Sequence, residues 1–182
     1  MNQLPTLSIG ALALALAGWT AADVEPAAAP ATPPAPTAAE VVFERFKSME
    51  GRWAGESTMG WKDVVEFSVI ARGSVVMAVS EFEAHPGETM VTMYHMDGEH
   101  LVLTHYCVAG NQPHLRATAF EEEGRAIRFT WADGTGLESR DEGHMDQALI
   151  RFGEDGSYTS KWTWYEDGAE SWMEDIRLER IE

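Results

Sequence analysis

The chain has 182 residues, 30 Asp+Glu against 13 Lys+Arg, a formal charge of −17 and one cysteine. So acidic a surface repels phosphate and argues against nucleic acid as a partner. One cysteine excludes an internal disulfide framework and every multi-cysteine zinc or iron–sulfur site.

From Leu7 to Ala22 the chain is apolar except for Ser8 and Thr20. That run is shorter than the roughly 18–20 residues a bilayer span needs. It suits the apolar region of a secretory signal, and Thr20-Ala21-Ala22 offers small residues for cleavage. No Lys or Arg precedes Leu7, which leaves a retained anchor as the alternative. The sole cysteine is Cys107, so a lipoprotein cysteine is absent from the cleavage region. After cleavage no stable membrane span is expected. Residues 23–36 are almost wholly Ala, Pro and Thr and hold five of the eight prolines. Such a stretch cannot bury apolar surface and reads as an extended spacer. The folded domain is expected over 37–182.

That domain opens with Thr37-Ala38-Ala39-Glu40, the pattern of a capping box. Val42, Phe46 and Met49 follow at helical spacing and give one apolar stripe. Gly51 is placed to end the helix.

Everything beyond Gly51 reads as strand and turn. The expected strands are 52–59, 62–71, 74–84, 89–96, 101–108, 115–120, 126–131, 145–152, 158–165 and 172–181. Most alternate apolar and polar, as Val65, Phe67 and Val69 do. Asp97-Gly98, Glu123-Gly124, Asp155-Gly156 and Asp167-Gly168 punctuate them with turn chemistry. About ten short strands joined by hairpins predict an all-β fold, an antiparallel up-and-down barrel whose closure removes exposed edges. At Asp97-Gly98 a bulged three-residue turn would gather Val91, Met93 and His95 with Leu101, Leu103, His105 and Cys107 on the inner face. That register leaves Thr92, Tyr94, His100, Thr104 and Tyr106 outside. An odd loop at Asp167-Gly168 would group Tyr158, Trp162, Trp172, Ile176 and Leu178.

Gly51-Arg52-Trp53-Ala54-Gly55, between a short helix and the first strand, resembles the start of the lipocalin-like (calycin) barrels. Its G-x-W-x-G form is similar to that of nitrobindin, a ten-stranded barrel. The resemblance implies that Trp53 closes one end and that a late Arg packs across its indole. Arg180 fits that role, because it shares strand parity with Ile176 and Leu178, whereas Arg177 points the other way. It also implies an interior that holds a small molecule. In nitrobindins a His on the last strand holds the haem iron; 172–181 has no His, so no cofactor is expected by that route.

The stretch from Thr104 to Arg116 concentrates the candidate chemistry. His105 and Cys107 are two apart and leave a strand on one face. Such a pair can activate a thiol, offer a metal two ligands, orient a polar ligand, or simply pack. Asn111 and Gln112 in the Gly110–Pro113 loop can anchor a ligand's polar end or satisfy the loop backbone. No other His spacing matches a metal or catalytic motif, so no metal site is expected. Seven tryptophans are many for this length, and Trp131, Trp162, Trp164 and Trp172 suit either a pocket or the core. Glu121-Glu122-Glu123 reads as a solvated turn.

The expectation is an exported, periplasmic or secreted barrel binding a small hydrophobic or amphipathic molecule. Its ligand would meet His105, Cys107, Asn111, Gln112, Trp131 and Trp162. The alternatives are a small-molecule enzyme using His105 and Cys107, with Arg116 the third candidate group, and a haem- or metal-binding barrel of the nitrobindin kind.

Overall fold

The computed structural model describes residues 34–181. The expected signal (1–22) and all but the end of the expected spacer lie outside the described residues. Thr37 and Glu40 cap the first element reciprocally: the Thr37 N–H donates to Glu40 Oε2 at 2.6 Å, and the Glu40 N–H donates to Thr37 Oγ1 at 3.2 Å. This starts α1 (Ala38–Lys47), whose Ala39, Val42, Phe43 and Phe46 are buried. The helix ends before Gly51, at a Ser48 cap whose N–H donates to the Glu44 carbonyl at 3.1 Å. Gly51 instead opens the first strand with φ 124°.

Ten strands follow, each antiparallel to its neighbours in sequence. They are β1 (Gly51–Ser57), β2 (Lys62–Ile70), β3 (Val75–Phe82), β4 (Met90–Asp97) and β5 (His100–Tyr106). The second half comprises β6 (Gln112–Glu121), β7 (Ala126–Thr135), β8 (His144–Phe152), β9 (Tyr158–Glu166) and β10 (Ala169–Arg180). β1 pairs with β10 and closes the barrel, so no edge remains. All ten expected strands are present. A closed ten-strand antiparallel barrel after a short helix is compatible with the lipocalin-like (calycin) fold.

Closure depends on Gly55. It stands opposite Leu178, and a Cβ there would meet the Arg177 carbonyl oxygen at 1.8 Å. The second glycine of G-x-W-x-G is therefore a requirement of close backbone approach.

The helix plugs one end. Phe46 stacks on Tyr94 with centroids 4.1 Å apart and meets Phe129 and Phe152 edge-on at 6.5 and 5.2 Å. The apolar stripe of α1 thus finds the inner ends of three strands. Truncating so buried an aromatic costs about 3–5 kcal/mol.

Two hairpins correct the expected registers. Between β4 and β5 the turn has two central residues, Gly98 and Glu99, and Asp97 pairs with His100. Gly98 takes φ 58°, as the first central position of a tight primed turn demands. Thr92 and Tyr94 therefore face inward beside Leu101, Leu103 and His105, while Val91, Met93 and His95 lie half-buried outside. His95 pairs with Val102 and does not meet His105. The aliphatic residues were a poor guide because Tyr94 has a stacking partner inside, and Thr92 a hydrogen-bond partner.

Between β9 and β10 the turn is again two residues, with Asp167 and Gly168 both at positive φ (49° and 77°). The expected parity change occurs farther on, at a bulge between Trp172 and Asp175. Beyond it Tyr158, Ile176 and Leu178 face inward with Trp162. Trp172 is left outside, 44% exposed, beside Arg128 and Lys161.

Candidate functional site

Opposite the plugged end the barrel interior opens into a cavity of about 510 Å³. That volume suits a small organic ligand. Phe67, Tyr94 and Tyr158 lie toward the plug. Phe82, Met90, Met145, Trp162, Trp164, Met173 and Ile176 supply most of the wall, so the lining is largely apolar.

A polar stripe interrupts that wall across four consecutive strands. Asp63 on β2, Ser80 on β3, Thr92 on β4 and His105 on β5 all line the cavity. The register explains the alignment. Val65 pairs with Ser80, Ala78 with Thr92, and Thr92 with His105, so each step is a direct or diagonal same-face neighbour. Ser80 Oγ donates to Asp63 Oδ1 at 2.7 Å, and Thr92 Oγ1 lies 2.9 Å from His105 Nδ1.

Burial dominates the electrostatics. Desolvation pushes the Asp63 carboxyl up to about 6, against the Ser80 hydroxyl and the Val64 N–H, which favour the carboxylate. The same cause lowers His105 to about 4, leaving a neutral imidazole near pH 7. Its ring packs 4.9 Å from that of Trp162, and Nε2 is buried with no hydrogen-bond partner. Deeper in, the Tyr94 and Tyr158 hydroxyls stand 3.5 Å apart. Burial pushes Tyr94 up to about 12 and Tyr158 well above its ordinary range, so both remain neutral donors.

Three of the six expected ligand-contacting residues border the cavity: His105, Cys107 and Trp162. Cys107 sits at the rim, in a loop closed by its N–H to the Asn111 carbonyl at 3.1 Å. Burial pushes its thiol up, opposed by the Val108 and Ala109 N–H groups. A neutral His and a raised thiol are poorly matched for nucleophilic chemistry.

Asn111, Gln112 and Trp131 lie outside the cavity lining. Asn111 Nδ2 donates to the Gly143 carbonyl at 2.8 Å, and Gln112 bonds Gly110 and Thr135. Trp131 belongs to a separate cluster around Arg140, whose guanidinium is 4.5 Å from the Trp131 ring and 3.8 Å from the Tyr165 ring. Arg140 also donates to His144 Nε2 and Asp146, and His144 donates Nδ1–H to the Glu142 carbonyl. These contacts fix the loop before β8. Arg116 is exposed on the outer face, away from the cavity.

Asp63, Ser80, Thr92, Tyr94 and Tyr158 were not among the expected site residues. Asp63 carried a usable signal: it shares parity with Val65, Phe67 and Val69, a charge on the apolar face of its strand. Among the described residues no group of three or more His, Cys, Asp or Glu side chains is placed to hold a metal ion. β10 carries no His, so the haem ligation of nitrobindins has no counterpart on that strand.

At the plugged end Arg180 lies with its guanidinium carbon 4.7 Å from the centroid of the Trp53 ring. The Trp53 indole N–H donates to the Met49 carbonyl at 2.7 Å. No protein-family model matches the chain, and no curated protein matches it.

Proposed function

We propose that the protein is an exported barrel that binds one small hydrophobic or amphipathic molecule in its interior. The observation that carries this reading is the cavity of about 510 Å³ with an apolar wall and a buried polar stripe. A barrel selected only for stability would fill such a space, since each unfilled methylene-sized void costs stability. His105, whose Nε2 is buried without a partner, lines that cavity and adds an unsatisfied polar group to its wall. The short apolar segment 7–22 and the Ala/Pro-rich spacer behind it support export.

Native mass spectrometry of protein purified from the exported fraction tests both parts. A mature chain beginning near Asp23 and carrying one extra small mass is the expected result. A chain beginning at Met1 in the membrane fraction overturns export. Failure to bind the neutral probe N-phenyl-1-naphthylamine, with no co-purifying mass, overturns the binding reading.

A further inference from the structure

We propose that the natural occupant of the cavity is a hydrophobic amine, held with its cationic head on Asp63. The inference rests on the ligand-binding reading above and narrows it to one chemical class. Asp63 is only 5% exposed, lines the cavity, and among the described residues has no cationic side chain paired with it. The Ser80 hydroxyl satisfies part of its acceptor capacity. A buried carboxylate without a counter-charge is costly, and a cation placed beside it offsets that cost.

The other carboxylates on the wall have the same sign as Asp63: Glu88 and Glu174 stand there beside the imidazoles of His85 and His105, and among the described residues no Lys or Arg does. A carboxylate ligand such as a fatty acid would meet like charge in a low-dielectric space, whereas an ammonium would find its partner there. Trp162 offers a ring face beside the polar stripe, which suits a cation or its adjoining methylenes. An independent observation points to a ligand in the same place. His105 is 6% exposed and lines the cavity, with Nδ1 engaged by Thr92 and Nε2 unpartnered. Nε2 has almost no open surface, so a bound molecule with a hydrogen-bonding group along its body would satisfy it after a small turn of the ring.

Three probes with one tail separate the possibilities: decylamine, decanol and decanoate, each displacing N-phenyl-1-naphthylamine near neutral pH in physiological salt. The expected order is decylamine tightest, by roughly tenfold or more over decanol, with decanoate weakest. In Asp63→Asn the advantage of the amine over the alcohol should vanish. General attraction of the amine to an acidic surface would survive that single substitution, so a persisting advantage overturns the proposal. Equal displacement by amine and alcohol in the unmodified protein overturns it too, without recourse to any variant. If the neutral probe binds and only the order is wrong, the amine assignment fails and the ligand-binding reading stands. If no probe binds, both fall.

Discussion

Arg180 stands directly opposite Trp53 in the register that closes the barrel, and its guanidinium covers the indole. The same side chain donates to the Glu50 carbonyl and, at 2.7 Å, to that of Ser48. One residue at the end of β10 therefore holds three things: the last strand, the first strand and the loop leaving α1. A cation at the end of a helix also complements its dipole.

Trp53→Ala should lower stability by about 3–5 kcal/mol. Arg180→Ala should cost about 1–3 kcal/mol, because it removes charge-assisted hydrogen bonds as well as the stacked cation. A double-mutant cycle by urea denaturation should give a coupling of about 0.5–2 kcal/mol. Strict additivity would show that the two side chains act separately.

Gly55→Ala should destabilise the barrel by about 1–3 kcal/mol, since the new methyl group has only backbone to push against. Gly60→Ala is the control. Its Cβ would meet nothing within 4 Å, although its φ of 84° still makes the change mildly unfavourable. Thermal melts of the two should differ clearly, with Gly55→Ala the lower. Equal melting temperatures would mean that β1 and β10 separate easily.

Asp63 and His105 act on stability in opposite senses. The carboxyl is raised from 3.8 to about 6, so between those values the folded chain holds a proton that the unfolded chain releases. Its contribution to stability is therefore full below about pH 4 and lost as pH rises through 6. The imidazole is lowered from 6.5 to about 4, so there the unfolded chain takes the proton first and stability falls as pH drops. Each effect is on the order of 3 kcal/mol. Asp63→Asn should be more stable than the unmodified protein at neutral pH, with the gap closing toward pH 4. His105→Gln should match it more nearly at neutral pH and gain on it as pH falls. Urea denaturation at a series of pH values reads both gaps; a gap that ignores pH would place the corresponding group in water.

Burial that raises the Cys107 thiol should make it slow to react. Alkylation by iodoacetamide at neutral pH should be slower than that of a free thiol, and the chain should run as a monomer on non-reducing gels. Cys107→Ser should cost about 1 kcal/mol. Alkylation faster than a free thiol would instead reveal an activated cysteine.

The architecture was legible because hairpin turns and alternation are local. Val65, Phe67 and Val69 define the inner face of β2 by themselves, and Thr37 with Glu40 marks the start of α1. The site was less legible because it depends on parity across strands. At Asp97-Gly98 the aliphatic pattern favoured one register, and a turn centred on Gly98 and Glu99 set the other. Counting apolar residues could not foresee that Tyr94 would stack on Phe46 in the interior or that Thr92 would serve His105. In the last hairpin the inward grouping of Tyr158, Trp162, Ile176 and Leu178 came out as expected, through a bulge in the strand instead of an odd turn. Trp131 failed for another reason. Its partner, Arg140, comes from a loop whose path the alternation of β7 does not encode.

The β10 bulge has a consequence for how this barrel tolerates changes in length. Two residues, Met173 and Glu174, occupy the space opposite the single residue Trp162, and both reach the cavity wall. Deleting Met173 would restore regular pairing there without disturbing the two-residue turn before it or the Leu178–Tyr158 pairing after it. Such a deletion would redraw the rim beside Trp162 and leave the Trp53–Arg180 closure in register. In this fold a one-residue gap at that position is a means of changing what fits inside, independent of what keeps the barrel shut.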